Sequence, residues 1–406
     1  MKTLKISLFV VTLLVLLILV TSCFNDNVFK ENSINSVDNF NNQSDTLTSS
    51  IDKDKLYFEL VEKLIEEKKS ENIVISPISI DYALLLFANG ANDSTKKEVL
   101  NYLGGDLESL NTEFSEYLSS LNSSLRIANS IWFNEPSVNI KEDYRIAMED
   151  DFHATIEGVD FSKGETKDLI NDWINEETDG LIPKIATEFS PDTIMTLINA
   201  LYFDENWMEE FISSATKPEN FYVNNAAVTV DMMKGKVYDY LETDEVTGFI
   251  KYYMNPRYAF VAILPKNESY SLKDINFNEL LSSKESIETR IKMPSFKVEF
   301  NTSLNNYLKE YGIRSMFDVN DCNLDNMFVI NSKNPFVSSV LHQNVIDVSE
   351  HGTRAASATT IVTIGASFNP NPQYKEVILN KPFDFVIMDM EYNKPLFIGH
   401  VENPNN

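Results

Sequence analysis

Residues 342–358 read HQNVIDVSEHGTRAASA, and residues 359–364 continue TTIVTI. Beyond Gly352 one large side chain, Arg354, interrupts a run of small ones: Thr353, Ala355, Ala356, Ser357 and Ala358. Successive side chains of an extended chain point to opposite faces. Thr353 and Ala355 would therefore share an inward face, and Arg354 would point outward to solvent. The TTIVTI run is β-branched and suits strand geometry. From the residues alone, such a segment reads as an ordinary strand of the folded protein.

The rest of the chain narrows the function classes. The 406 residues carry 34 Lys+Arg against 61 Asp+Glu, for a net charge of −27 and a pI near 4.5. That excess repels polyanions, so nucleic acid is not an expected partner. With 43% hydrophobic and 11% aromatic residues, there is enough apolar material for a large core. Neither GxxxxGK[ST] nor GxGxxG occurs, which weakens a nucleotide reading. His153, His342, His351 and His400 are scattered and no HExxH is present, so no metal site is expected. There is no GxSxG, and no His has a nucleophile at a suggestive spacing; no catalytic residue is assigned. Cys23 and Cys322 cannot build a disulfide scaffold. Cys322 sits in DCNLD, where flanking acids raise a thiol pKa and argue against a nucleophile.

The N-terminus reads as an address. Two Lys within residues 1–5 precede an apolar run over residues 6–20, followed by Val20-Thr21-Ser22-Cys23. This fits a secretory signal over residues 1–22, the run being somewhat short for a membrane span. The small residues before Cys23 resemble a prokaryotic lipobox. That resemblance implies cleavage before Cys23, lipidation of its thiol, and export to the cell surface, anchored to the membrane or secreted. Residues 23–50 are rich in Asn, Ser and Asp without an apolar period, as expected of a tether.

From residue 51 the pattern changes to packed structure. Amphipathic spacing predicts a helix over 52–69. Ser76-Pro77 opens a second helix and Asn92-Asp93-Ser94-Thr95 a third, which ends at Leu103-Gly104-Gly105. A further helix spans 166–178 and stops at Asp179-Gly180. Strands are expected over 125–133, 196–203, 228–233, 258–264, 289–300, 377–378, 383–388 and 396–401. Helices first and strands later, without βαβ alternation, indicate an α+β domain. Length alone would allow two or three domains, but no linker follows residue 50, so one domain over 51–406 is expected.

Several stretches, in order, resemble the serpin family over nearly all of residues 51–406. They are NIVISPISI at 72–80, NDWIN at 171–175 with TDGLI at 178–182, LINALYF at 197–203 with Trp207 and Phe211, Met232-Met233, MPSF at 293–296, the 342–358 stretch, NKPF at 380–383, and PLFIGHVENP at 395–404. The resemblance implies helices packed on a large central mixed sheet, with further sheets and an exposed reactive loop. It implies a suicide-substrate inhibitor of serine proteases. A protease nucleophile attacks the loop and forms an acyl-enzyme; the cut loop then inserts as a new strand and carries the protease with it. Papain-like cysteine proteases are a further expected class. A monomer without a cofactor is expected. A serpin-fold binding protein without inhibitory activity is the alternative, which Pro or several charges in 355–358 would have favoured.

By the same resemblance, Glu350, Gly352, Thr353, Ala355, Ala356, Ser357 and Ala358 form the hinge. Ser76, Ser79, Asn199 and His342 form a shutter beneath the sheet, and Trp207 marks the breach where the hinge first enters. The acyl-side residue lies sixteen positions after Glu350 in inhibitory members, which places the reactive bond at Ala366–Ser367. Small side chains there suit elastase-like or subtilisin-like proteases. Phe368, suited to a chymotrypsin-like pocket, is the second choice, because residues 367–381, with Asn369-Pro370-Asn371-Pro372, look longer than the usual family connection.

Overall fold

Short local signals start and stop the helices, and apolar alternation builds the strands between them. The computed structural model describes residues 53–185, 188–267, 269–354 and 373–406. Helix α1 (Lys53–Lys68) buries Tyr57, Phe58, Leu60, Val61 and Leu64 and leads to β1 (Ile73–Ile75). Ser76 caps α2 (Pro77–Gly90) by accepting a hydrogen bond from the Ser79 amide, with Pro77 at the first helical position. Helix α3 (Asp93–Leu103) ends on Gly104, whose φ of +77° is the left-handed conformation that a helix end favours. Then follow α4 (Leu107–Ser119), β2 (Leu125–Asn134), β3 (Val138–Ile140), α5 (Glu142–Phe152), β4 (Thr155–Val159) and α6 (Thr166–Glu177). The wholly buried β5 (Met195–Phe203) precedes β6 (Glu205–Asn206), β7 (Lys217–Val223), β8 (Ala226–Glu242), β9 (Val246–Tyr252) and β10 (Tyr258–Pro265). The remainder is α7 (Phe277–Ser282), β11 (Glu285–Pro294), β12 (Phe296–Ser303), α8 (Asn305–Glu310), β13 (Phe328–Ile330), β14 (Ser339–Val348), β15 (Gly352–Thr353), β16 (Lys375–Ile378), β17 (Phe383–Asp389) and β18 (Lys394–Val401).

The strand expected over 289–300 divides. Its first part, β11, pairs with β8 and β16; its second, β12, pairs with β14 in another sheet. Pro294 cannot donate to a ladder, and the Ser295 amide instead bonds the Asp231 carbonyl at 2.9 Å. Helices α4 and α5 were not expected from the sequence. Each is acid-rich and buries three residues: Leu110, Phe114 and Tyr117, and Tyr144, Met148 and Phe152.

The central sheet runs β4-β2-β5-β14-β15-β6, with β12 paired to β14. A second sheet runs β1-β18-β17-β10-β9-β8-β11-β16, with β7 on β8. Helix α2 is buried except at Asp81 and Asn89 and packs against both β5 and β18. Helix α6 covers the opposite face of the central sheet. There Ile170, Ile174, Ile182 and Ile185 cluster with Ala128, Trp132, Ile198, Ala200 and Val345. Alternation along β5 thus sends Ile198 and Ala200 to α6 and Leu197, Asn199 and Leu201 toward α2.

Candidate functional site

The site lies along the seam between β5 and β14. These strands pair in parallel for six residue pairs, from Ser339↔Thr196 to Asn344↔Leu201. Above Asn344 they part. Residues 352–353, as β15, fill the gap: Val348 pairs with Thr353, while Gly352 and Thr353 pair with Asn206 and Glu205. Two of the expected hinge residues therefore already sit within the sheet. A Cβ on Gly352 would fall 2.2 Å from the Glu205 carbonyl oxygen, so no larger residue fits that position. Thr353 is fully buried, and its Oγ1 lies 2.7 Å from the Tyr253 hydroxyl.

Trp207 holds the segment that leads into β15. Its amide donates to the His351 carbonyl at 2.8 Å, and its indole Nε1 to the Ser349 carbonyl at 2.9 Å. The Phe211 amide donates to the Glu350 carbonyl at 2.9 Å, and the Glu210 carboxylate meets His351 Nδ1 at 2.9 Å. Trp207 stacks on Tyr253 with ring centroids 4.4 Å apart. Beneath them lies Lys251, whose ammonium donates to the Glu209 carbonyl at 2.6 Å and sits over the Phe211 and Trp207 rings. Burial pulls its pKa down to about 8. Tyr253, Lys251 and Glu210 were not read from the sequence. Their only prior signal is proximity to Trp207 or its strand partner.

Arg354 departs from expectation. It does not point to open solvent: its side chain is 24% exposed. Its guanidinium donates to the Thr178 carbonyl at 2.8 Å and the Asp179 carbonyl at 2.6 Å, and lies over the Tyr202 ring at 4.9 Å. Alternation gave its face correctly, opposite Thr353, but that face is occupied by the end of α6.

Below the parting point, Ser76, Ser79, Asn199 and His342 meet between α2 and the sheet. The Ser79 hydroxyl donates to Asn199 Oδ1 at 3.1 Å. His342 Nε2 accepts from the Ser76 amide at 3.0 Å and faces Asn344 Nδ2 at 2.6 Å. With Nε2 accepting, the proton belongs on Nδ1, which contacts Asn199 Oδ1. The Asn344 partner follows His342 by two residues, the spacing that shares a strand face. Burial lowers the His342 pKa to about 3, so the ring is neutral. Ala355, Ala356, Ser357, Ala358, Ala366, Ser367, Phe368 and Cys23 lie outside the described residues.

The family model described as serpin (serine protease inhibitor) matches residues 52–404. The chain belongs to the serpin family. An uncharacterized serpin-like protein of Thermococcus kodakarensis is 30% identical over 354 residues, covering 82% of this chain and 81% of that protein. The leukocyte elastase inhibitor of Bos taurus is 28% identical, covering 84% and 95%. Among solved structures, the native-state crystal structure of the thermophilic serpin tengpin superposes with a TM-score of 0.80 at 30% identity, covering 90% of this chain and 96% of that one. The serpin fold, α+β with mixed sheets, is thus that of this chain.

The buried imidazole sets a pH prediction. A folded pKa of about 3 against about 6.5 unfolded means that the unfolded chain takes up the proton first. Stability is therefore full above pH 6.5 and falls below it, by about 2 kcal/mol at pH 5. His400, raised to about 9 by Asp384 and Glu402 despite its burial, contributes stability that is full below pH 6.5 and is lost toward pH 9; it does not mask the acid loss. Urea midpoints should fall between pH 7 and 5 in the wild type. His342→Gln should be weaker at pH 7 but show a flatter profile over that range.

Proposed function

We propose that this serpin is a suicide-substrate inhibitor of serine proteases, which traps the acyl-enzyme by inserting its cleaved loop between β5 and β14. The observation that carries the reading is the position of β15. The sheet is closed for six residue pairs below, parted above, and its gap is filled by two hinge residues. A strand that continued from Thr353 down this seam would gain backbone hydrogen bonds on both sides. It would also bury the small side chains of 355–358. Family membership and the resemblance to an elastase inhibitor support the same reading.

The chemistry belongs to the protease. Its nucleophile attacks the loop carbonyl, the amide bond breaks, and an ester joins the protease to the new loop terminus while the amine leaves. Insertion then carries the ester away from the water and base that would hydrolyse it. The seam residues set how quickly this happens, since the race is between strand addition and deacylation. We assign the reactive bond to Ala366–Ser367, with Phe368 second, and elastase-like or subtilisin-like enzymes as targets. We further propose residues 1–22 as a removed leader and Cys23 as a lipidated anchor that holds residues 51–406 off the cell surface through the polar 24–50 tether.

Elastase, subtilisin and chymotrypsin mixed with the chain should give a band that survives denaturing electrophoresis. Mass spectrometry of the released peptide should begin at Ser367. Clean cleavage by all three enzymes without a covalent band would refute the inhibitor reading. Thr353→Arg should turn the chain into a substrate, because Thr353 is fully buried and a bulky charge there must be desolvated as the strand forms. The wild-type chain expressed in a lipoprotein-processing bacterium should incorporate labelled fatty acid, and Cys23→Ser should not; no incorporation by the wild type would remove the anchor.

A further inference from the structure

The hinge stops at Arg354, and the stop has a physical cause on the α6 side of the sheet. Arg354 has a φ of +51°, the left-handed region that residues with a Cβ seldom occupy. Its amide still donates to the Asp347 carbonyl at 2.7 Å, so the chain is held against β14 up to this residue. A strand continuing down the seam would need Arg354 extended instead. What holds the turned conformation is the guanidinium fork: one arm on the Thr178 carbonyl at 2.8 Å, the other on the Asp179 carbonyl at 2.6 Å, with the Asp179 carboxylate 3.7 Å away.

These acceptors have a particular place. Thr178 closes α6, and Asp179 and Gly180 follow it at φ values of 52° and 75°, so the carbonyls belong to the negative end of that helix. The Tyr202 ring supports the contact, with Arg354 at 4.9 Å and Arg126 at 4.3 Å from its centroid. Helix α6 is also the element that crosses the β2, β5 and β14 face through Ile170 and Ile174. The guanidinium thus ties the last seated part of the hinge to the helix that lies over the seam the strand would enter.

We propose that Arg354 is a positioning residue that clamps the hinge to the end of α6 and halts insertion after Thr353 until the loop is cut. Resting on the inhibitor reading above, this makes Arg354 a determinant of the race between insertion and deacylation. The acceptors are two main-chain carbonyls spaced for a planar fork, so a Lys at this position meets one of them at a time.

Two measurements on the full chain test this. In the first, hydrogen exchange reports the amides of residues 352–354 in the uncleaved protein. Arg354→Ala should exchange about tenfold faster than wild type and Arg354→Lys should fall between. Unchanged exchange in Arg354→Ala overturns the clamp. In the second, an acetylated synthetic peptide of residues 353–364 is annealed to the uncleaved chain and followed by native gel. Annealing requires the resident hinge to leave the seam, and Arg354→Ala should speed it about tenfold. Faster exchange with wild-type annealing overturns the gating role while leaving the contact. A wild-type chain that neither anneals peptide nor traps any protease removes the inhibitor reading, and the gating role with it. A wild-type chain that does both, with Arg354→Ala annealing at the same rate, overturns the gating role alone.

Discussion

The parallel pairing of β5 with β14 ends at Leu201 and Asn344, and the rest of the site is arranged around that ending. A parallel pair that separates midway leaves backbone donors and acceptors on both inner edges. Buried polar groups of this kind need partners. Here β15 supplies them for two residues, and the turn after β6 supplies them for the three residues before β15 through Trp207 and Phe211. The gap above the pairing is in this way occupied in part by residues 349–354 rather than by a continuation of the β5–β14 ladder.

The two faces of the seam do different things. On the α2 face, Ser76, Ser79, Asn199, His342 and Asn344 form a polar link rather than an apolar one. Hydrogen-bonded groups can exchange partners when strands move apart, whereas interdigitated apolar side chains must unpack. The link is also incompletely satisfied: among the described residues, Asn199 Nδ2, Asn344 Oδ1 and both side-chain polar atoms of Asn129 have no partner. On the α6 face Ile170, Ile174 and their neighbours make an apolar contact with the sheet, and at the end of the helix Arg354 adds a charged tie.

The fold was legible because the motifs that start helices and fill strands are local. Ser76-Pro77, the Gly104 stop and the apolar LINALYF stretch act within a few residues of where they stand. Helices α4 and α5 carry few buried residues among polar and acidic ones, so their apolar period is weak, although Leu110, Phe114 and Tyr117 do recur at helical spacing. Pro294 marks the break at Ser295 locally, but the accompanying switch of partner strand from β8 to β14 depends on residues elsewhere in the chain. The same holds for the site. The shutter residues and Trp207 came from resemblance, and the structure brings the four shutter residues together. The partners that decide the behaviour of Thr353 and Arg354 are Tyr253, Thr178 and Asp179, between 100 and 176 residues away. No local pattern announces such contacts.

Trapping by this chain depends on whether the loop can become a strand of the central sheet. The direct measurement is the thermal unfolding of the chain before and after a single cut in the loop by a protease that does not become trapped. An inserted strand adds hydrogen bonds along both inner edges and closes the seam, so the cut chain should unfold at a markedly higher temperature than the intact one. A cut chain that unfolds at the same temperature as the intact protein, or below it, would contradict the account.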